Sequence, residues 1–339
     1  MIIRAKAPLR VSFCGGGTDV SPYPEEKGGC VISTTIDRYA WASVTELEDA
    51  VLNILSQDFS IQRSYDKGPL SYDGELDLAK GVLNHYQEGW LNLPGGVEVF
   101  THSDAPPGSG LGSSSTMVAT LVGAVAEWLK VPLTKYEIAE TTYKVERLDV
   151  RLSGGRQDQY AAVFGGFNFI EFYEDHTIVN PLRISQDVIN ELEYHLLLVF
   201  TGGIRTSARI VETQMNRYQE GEASAVDGLD HLKRLAVELK NKLLKGKLDE
   251  FGCLLHEAWE TKKSLADAIT NSQIDGLYQT AKDMGALGGK ILGAGGGGHL
   301  LLYCPINKKQ AIAREMENLG GRSVRFAFEE RGLQVWRAR

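Results

Sequence analysis

Eleven of the 37 glycines in this 339-residue chain fall in three short runs, at 15–17, 108–112 and 293–298. Glycine has no Cβ, so such runs let one backbone pass close to another or let several amides converge on an anion. A chain that clusters its glycines must bring those loops against something, a ligand or each other. The remaining composition is that of an ordinary globular protein, 43% hydrophobic and 24% charged. Its length allows a large core without disulfide or metal staples and points to two domains or one large one. Lysine and arginine number 36 against 44 carboxylates, a net charge of −8. That balance gives no hint of the basic face of a nucleic-acid-binding protein, so a few local cations and backbone amides must hold any anionic ligand.

Cys14, Cys30, Cys253 and Cys304 show no CxxC and no metal-type spacing with histidine, which reads as reduced thiols. The N-terminal MIIRAKAPLRVSF lacks a continuous apolar run of the signal-peptide kind. The longest apolar helical stretch, Met117 to Ala126, falls short of the roughly 20 residues of a membrane span. The expectation is a soluble, cytoplasmic protein with neither membrane nor nucleic acid as partner.

Strand patterns occur at 2–5, 11–14, 30–36, 39–44, 96–101 and 167–172, and helical ones at 76–86, 113–129, 134–147 and 157–163. Three serines open the helix at 113 as potential caps, and Thr134 with Glu137 forms a capping-box pattern. Beyond residue 190 a strand at 195–200 precedes leucine-bearing helices over 208–281. A strand at 300–303, a helix at 308–319 and strands near Val324 and Val335 follow. A domain boundary is placed near 185–190, giving units 1–187 and 188–339.

The middle glycine run, Pro107-Gly108-Ser109-Gly110-Leu111-Gly112-Ser113-Ser114, lies between a strand and a helix. Free amides at a helix N-terminus attract anions, and hydroxyls there can join a Mg²⁺ shell, but a plain glycine turn fits the same residues. The third run, Gly293 to Gly298, matches GxGxxG literally, yet it leads into a strand near the C-terminus and does not open a helix. A hairpin loop approaching another backbone or a ligand fits better than a dinucleotide site. The first run follows Arg10 and precedes Asp19, a cation and a carboxylate on either side of a glycine loop.

In this order the three runs resemble the three motifs of the GHMP small-molecule kinases: Ala7-Pro-Leu-Arg-Val to Gly-Gly-Thr-Asp19, Pro107 to Ser114, and Lys290 to Gly298. Gly154-Gly-Arg-Gln-Asp-Gln-Tyr160 is similar to the segment carrying the family's catalytic aspartate. The resemblance implies an α+β, two-domain fold, with an N-terminal ribosomal-protein-S5-like domain and a C-terminal ferredoxin-like α/β domain. It implies ATP as co-substrate, wrapped by Pro107, Gly108, Ser109, Gly110, Leu111, Gly112, Ser113 and Ser114, and Mg²⁺ on Ser114 and Glu146. Asp158 would act as base with Arg10 beside it, Asp19 and Thr18 would meet the acceptor, and Gly295, Gly296 and Gly297 would form the third loop. Read without the family, Glu146 is an ion-pair partner on a helix face and Asp158 a carboxylate at a helix start.

Galactokinase-type sequences carry Glu-His where this chain has Gly16 and Gly17, which argues for a larger or more anionic acceptor than galactose. The string Cys14-Gly-Gly-Gly-Thr-Asp19 is most similar to sugar 1-kinases acting on D-glycero-D-manno-heptose 7-phosphate. The fucokinase type shares the Gly-Gly and the Thr-Asp. Arg205, between a glycine pair and two hydroxyls, is the candidate for the 7-phosphate. Lys262, Lys263 and Lys290 compete with it, each read by default as a solvated surface lysine. A kinase of L-fucose, or a silent sugar and ATP sensor on the same fold, is the alternative.

Overall fold

The computed structural model describes residues 1–203 and 207–338. Strands β1 (Ile2–Cys14), β2 (Gly29–Leu47), β3 (Val51–Ser56), β4 (Ile61–Asp66), β5 (Gly96–Ser103), β6 (Asn168–Phe172) and β7 (Thr177–Pro181) build one sheet. Strands β8 (Leu196–Phe200), β9 (Gly288–Ile291), β10 (His299–Tyr303) and β11 (Arg322–Val324) build a second, antiparallel one in the order β11-β8-β10-β9. The last strand, β12 (Gln334–Ala338), returns to the first sheet and pairs β1 antiparallel, Ile2 opposite Ala338. The architecture is the expected α+β one.

The first two strands are longer than their patterns predict. Pro8 separates two apolar runs, yet β1 continues through it, because the pairing with β2 shifts register there. Pro8 faces Tyr39 and Leu9 faces Ile36, so Asp37 and Arg38 form a bulge opposite the residue that has no N–H to donate. The β3–β4 hairpin has no counterpart in the sequence reading, since β4 is largely exposed and carries little apolar pattern.

Helix Ser113–Leu129 lies across the first sheet, with Val118, Leu121, Val122 and Val125 buried against Ile3, Ala5, Val44 and Val99. Each such side chain contributes about 1.5–3 kcal/mol when fully buried, so this helix start is held firmly. Its cap differs from the expectation. Gly112, in the left-handed region at φ 75°, occupies the N-cap and no side chain caps the helix. The capping box of Thr134 and Glu137 does form. Its helix, however, runs only from Lys135 to Tyr143 before widening into a π turn at Lys144–Asp149.

On the other side, Leu229, Leu232, Leu235, Leu239 and Leu243 form the buried stripe of helix Ala223–Leu244. Helix Leu248–Lys263 packs beside it and against β9. All four cysteines are free. No helix among the described residues is long and apolar enough to cross a membrane.

Candidate active site

A single cleft gathers residues from all four motif segments. Its walls include Arg10, Gly16, Gly17 and Asp19 from the first, Gly108, Gly110, Gly112, Ser113 and Ser114 from the second, and Gly154, Gly155 and Asp158 from the fourth. Gly293 comes from the third.

Arg10 is buried on β1, where a lone charge would be very costly, and Asp158 in the first turn of helix Gln157–Phe164 compensates it. The contact is bidentate: Arg10 Nε donates to Asp158 Oδ1 at 2.7 Å and Nη2 to Oδ2 at 3.0 Å. Arg10 Nη1 donates in addition to the Gly110 carbonyl, and the Arg10 amide donates to Leu111 O at 3.0 Å. The arginine thus ties the carboxylate to the second glycine loop.

That loop has Gly108, Gly110 and Gly112 all at positive φ, between 74° and 82°. A Cβ on Gly110 would stand 2.5 Å from Leu292 O, and one on Gly293 would stand 2.8 Å from Gly110 Cα. The second and third runs therefore touch backbone to backbone. His299 completes the brace, its Nδ1 and its amide both reaching Ser109 O, at 2.8 and 3.1 Å. Burial holds the pKa of His299 below the ordinary histidine value, which keeps the ring neutral and able to donate from Nδ1.

Glu146 is completely buried behind Ser114. Ser114 Oγ donates to its Oε1 at 2.8 Å, while Ser115 Oγ and Gln159 Nε2 donate to Oε2 at 2.6 and 2.8 Å. Two of the three serines expected to cap their helix, Ser114 and Ser115, are engaged here instead. The π turn aims both Glu146 and Arg147 at this corner, a use of π geometry common at functional sites. Gly154 leaves room for the Arg147 guanidinium and Gly155 for the Asp19 carboxylate; a methyl on either would overlap the charged group. Asp19 Oδ1 accepts from the Gly17 amide at 2.9 Å, and Oδ2 accepts from the amide and the Nε2 of Gln157, both at 3.1 Å.

Hard oxygen donors close to a phosphate loop suit Mg²⁺, which takes one or two protein oxygens, substrate phosphates and water. Ser114 Oγ and Glu146 Oε1 fit that role, one on the cleft wall and one directly behind it.

Several expected site residues lie elsewhere. Thr18 turns inward, donating from Oγ1 to Gly15 O and Cys30 O and accepting from the Cys30 amide, so it pins the first loop to β2 and does not border the cleft. Ser109 and Leu111 are buried under their loop, where their carbonyls accept the bonds from His299 and Arg10. Gly295 and Gly297 pack on the backbones of Ile269 and Gly203, and the Gly296 amide donates to Ile269 O. Arg205 lies outside the described residues.

The sequence reading missed three features. Lys262 and Lys290 are buried at 5% and 3% exposure, not solvated. Lys262 borders the cleft and donates to Gly293 O at 2.6 Å, and Lys290 donates to Ser12 O at 2.9 Å. Burial lowers their pKa values to about 8 and about 7. Gln214, from helix Ser207–Gln219, is the second feature: it borders the cleft with a buried Nε2 that has no partner among the described residues. The third is an apolar cavity beside the phosphate loop, lined by Phe59, Leu76, Leu78, Pro107, Met117 and Leu121. Its residues come from four separate segments, so no local pattern marks it.

Comparison with known proteins gives matches to both halves of the chain. Residues 77–166 match the model of the GHMP kinases N terminal domain, and residues 239–321 that of the GHMP kinases C terminal domain. The chain is 36% identical over 337 residues to a D-glycero-alpha-D-manno-heptose 7-phosphate kinase of Campylobacter jejuni, covering 99% of each. The chain belongs to the GHMP kinases. This kinase also superposes, with a TM-score of 0.84 and 36% identity over 99% of each chain, on a crystal structure described as a D-glycero-D-manno-heptose 1-phosphate kinase from Bacteroides thetaiotaomicron. A bifunctional L-fucokinase/L-fucose-1-P guanylyltransferase of Bacteroides fragilis is 26% identical over 99% of the kinase, which spans 39% of that longer protein. It is an ATP-dependent sugar kinase.

Proposed function

We propose that this kinase transfers the γ-phosphoryl group of ATP to the anomeric hydroxyl of D-glycero-D-manno-heptose 7-phosphate, giving the heptose 1,7-bisphosphate. The observation that carries the reading is the 36% identity, end to end, with the Campylobacter heptose 7-phosphate kinase. The side-chain-free floor at Gly16 and Gly17, where galactokinases are bulkier, supports a large anionic acceptor. The product would feed a nucleotidyl transfer for surface glycans, and a reaction using ATP belongs in the cytoplasm.

Placement supports the roles assigned to the residues. The amides around Gly108, Gly110 and Gly112 face the ATP phosphates, in a loop whose positive φ angles no other residue would adopt without strain. The apolar cavity beside Pro107 is the seat for the adenine ring. Mg²⁺, held by Ser114 and Glu146 together with phosphate oxygens, would neutralise charge on the phosphoryl group. Asp158 accepts the acceptor's hydroxyl proton on a lone pair not used by Arg10, and Arg10 keeps it aligned with the loop. Asp19, already fixed by three N–H donors, accepts from a sugar hydroxyl, and Gln214 Nε2 donates to another. Arg205 is assigned to the 7-phosphate. The two domains are 1–187 and 188–339, the first completed by the returning β12.

The test is incubation with Mg²⁺-ATP and, separately, heptose 7-phosphate, mannose 6-phosphate, fucose and galactose, read by ADP release and phosphorus NMR. A new anomeric phosphate on heptose 7-phosphate alone is the expected result. Turnover of fucose in its place supports the alternative acceptor, for which the Bacteroides fragilis relative is the reason. No turnover of any of them supports the silent sensor.

A further inference from the structure

Among the described residues, Lys262 differs from the other cations at the cleft, Arg10 and Arg147, in having no carboxylate partner. Arg10 is paired with Asp158, and Arg147 lies 3.4 Å from Glu146. Lys262 Nζ is bound to one carbonyl, that of Gly293, and the ammonium has two further N–H groups to place. It sits at the centre of the motif loops. Gly293, which it holds, packs on Gly110 of the phosphate loop, and the Cβ position of Gly16 in the first loop is 4.0 Å from its Nζ. Ser12 Oγ and Gln157 Nε2 lie around the same point, at 4.0 and 3.3 Å from it. A buried, unpaired ammonium facing a cleft is costly unless an anion completes it. Lys290 provides the contrast: equally buried, it does not border the cleft and is turned to Ser12 O.

We infer that Lys262 is a second catalytic cation beside Arg10, donating from Nζ to an oxygen of the phosphoryl group in transit. This rests on the sugar 1-kinase reading only in needing a phosphoryl transfer at this cleft, not in the identity of the acceptor. In the step the acceptor oxygen forms a bond to the γ-phosphorus. The bond from that phosphorus to the β–γ bridging oxygen breaks, with its electron pair leaving on ADP. The acceptor's proton goes to Asp158, and Lys262 stays protonated, stabilising charge that is largest in the transition state.

The groups facing Lys262 are Asp19 on the first loop, Arg10 and Cys14 on β1, Asp158 on helix Gln157–Phe164 and Lys290 on β9. With its pKa lowered to about 8, chiefly by burial, the free enzyme loses this charge as pH rises through that value. The alkaline limb of kcat/KM therefore falls near pH 8, whereas bound phosphates move the limb of kcat higher.

The experiment uses the full chain and whichever acceptor the wild-type enzyme turns over. Lys262→Met, checked for an intact melting transition, should lower kcat by about 100-fold or more while leaving KM for ATP and acceptor within about threefold. Lys262→Arg, always protonated, should retain part of the rate and move the alkaline limb of kcat/KM upward. A Lys262→Met enzyme with normal kcat and a raised acceptor KM would overturn the inference and make Lys262 a binding group for the acceptor's own phosphate. An alkaline limb unchanged in Lys262→Arg would overturn it equally. Failure of wild type on heptose 7-phosphate alone refutes the acceptor assignment and leaves this test in place on the true acceptor.

Discussion

The two walls of the cleft present hydrogen-bond donors by different means. On the phosphate-loop wall the device is backbone: three glycines at positive φ, a helix start with a glycine N-cap, and no lysine or arginine within the loop. On the facing wall it is side chains, Lys262 and Gln214, carried by helices whose other positions serve a leucine-rich core. A backbone cradle needs glycine at fixed intervals, so it is written into the sequence as a motif. A side-chain contact can come from any helix at any spacing, and only packing places it.

If that contrast is correct, the junction of the walls at Arg10–Asp158 carries the largest effect. Asp158→Asn, which keeps the shape beside Arg10, should reduce kcat by about 10³-fold with ATP affinity little changed, measured by steady-state kinetics. The alanine variant is a poorer probe, because removing one partner of a buried pair destabilises a fold by about 3–5 kcal/mol. Next comes Glu146→Gln, which preserves the packing behind Ser114. It should raise the Mg²⁺ concentration for half-maximal rate by about 10- to 100-fold in a metal titration at saturating ATP.

On the backbone wall, Gly110→Ala combines a strained φ of 82° with a Cβ 2.5 Å from Leu292 O. It should cost about 1–3 kcal/mol in chemical denaturation and raise KM for ATP about tenfold. Wild-type behaviour would show that the contact between the loops is not needed to shape them.

The smallest effect is of opposite sign. The folded pKa of Lys262 lies below that of the unfolded chain, so carrying the charge opposes folding at every pH below about 8. Lys262→Met should raise Tm by a few degrees near pH 7, and the gain should shrink as pH rises from about 8 toward about 10.5, where the unfolded lysine also loses its proton. A stabilised but inactive variant is what a functional buried charge produces.

Most helices were legible because amphipathic period and caps agree, as in the box of Thr134 and Glu137. The long strands were harder, since Pro8 divides β1 into two apparent runs and only the bulge opposite it rejoins them. Within the site, Arg10, Asp158 and the loop glycines stood out through their motif. Thr18 and Ser109 shared that motif, yet one pins a loop and the other's carbonyl receives a brace, roles that spacing does not separate from ligand contact. Lys262 carried no local sign at all; two adjacent lysines near a helix end read as solvent-facing until the third glycine loop packs over one of them.

The return of β12 to β1 also bears on the order in which the molecule comes into being. β1 carries Arg10, and its outer edge is covered only when residues 334–338 have been made. At roughly 5–20 residues per second, that edge stays open on the ribosome for tens of seconds after β1 emerges. An open edge with apolar neighbours is a template for wrong pairing. The strand that carries Arg10 therefore needs protection in the newborn chain, and β12, made long after it, is what provides it.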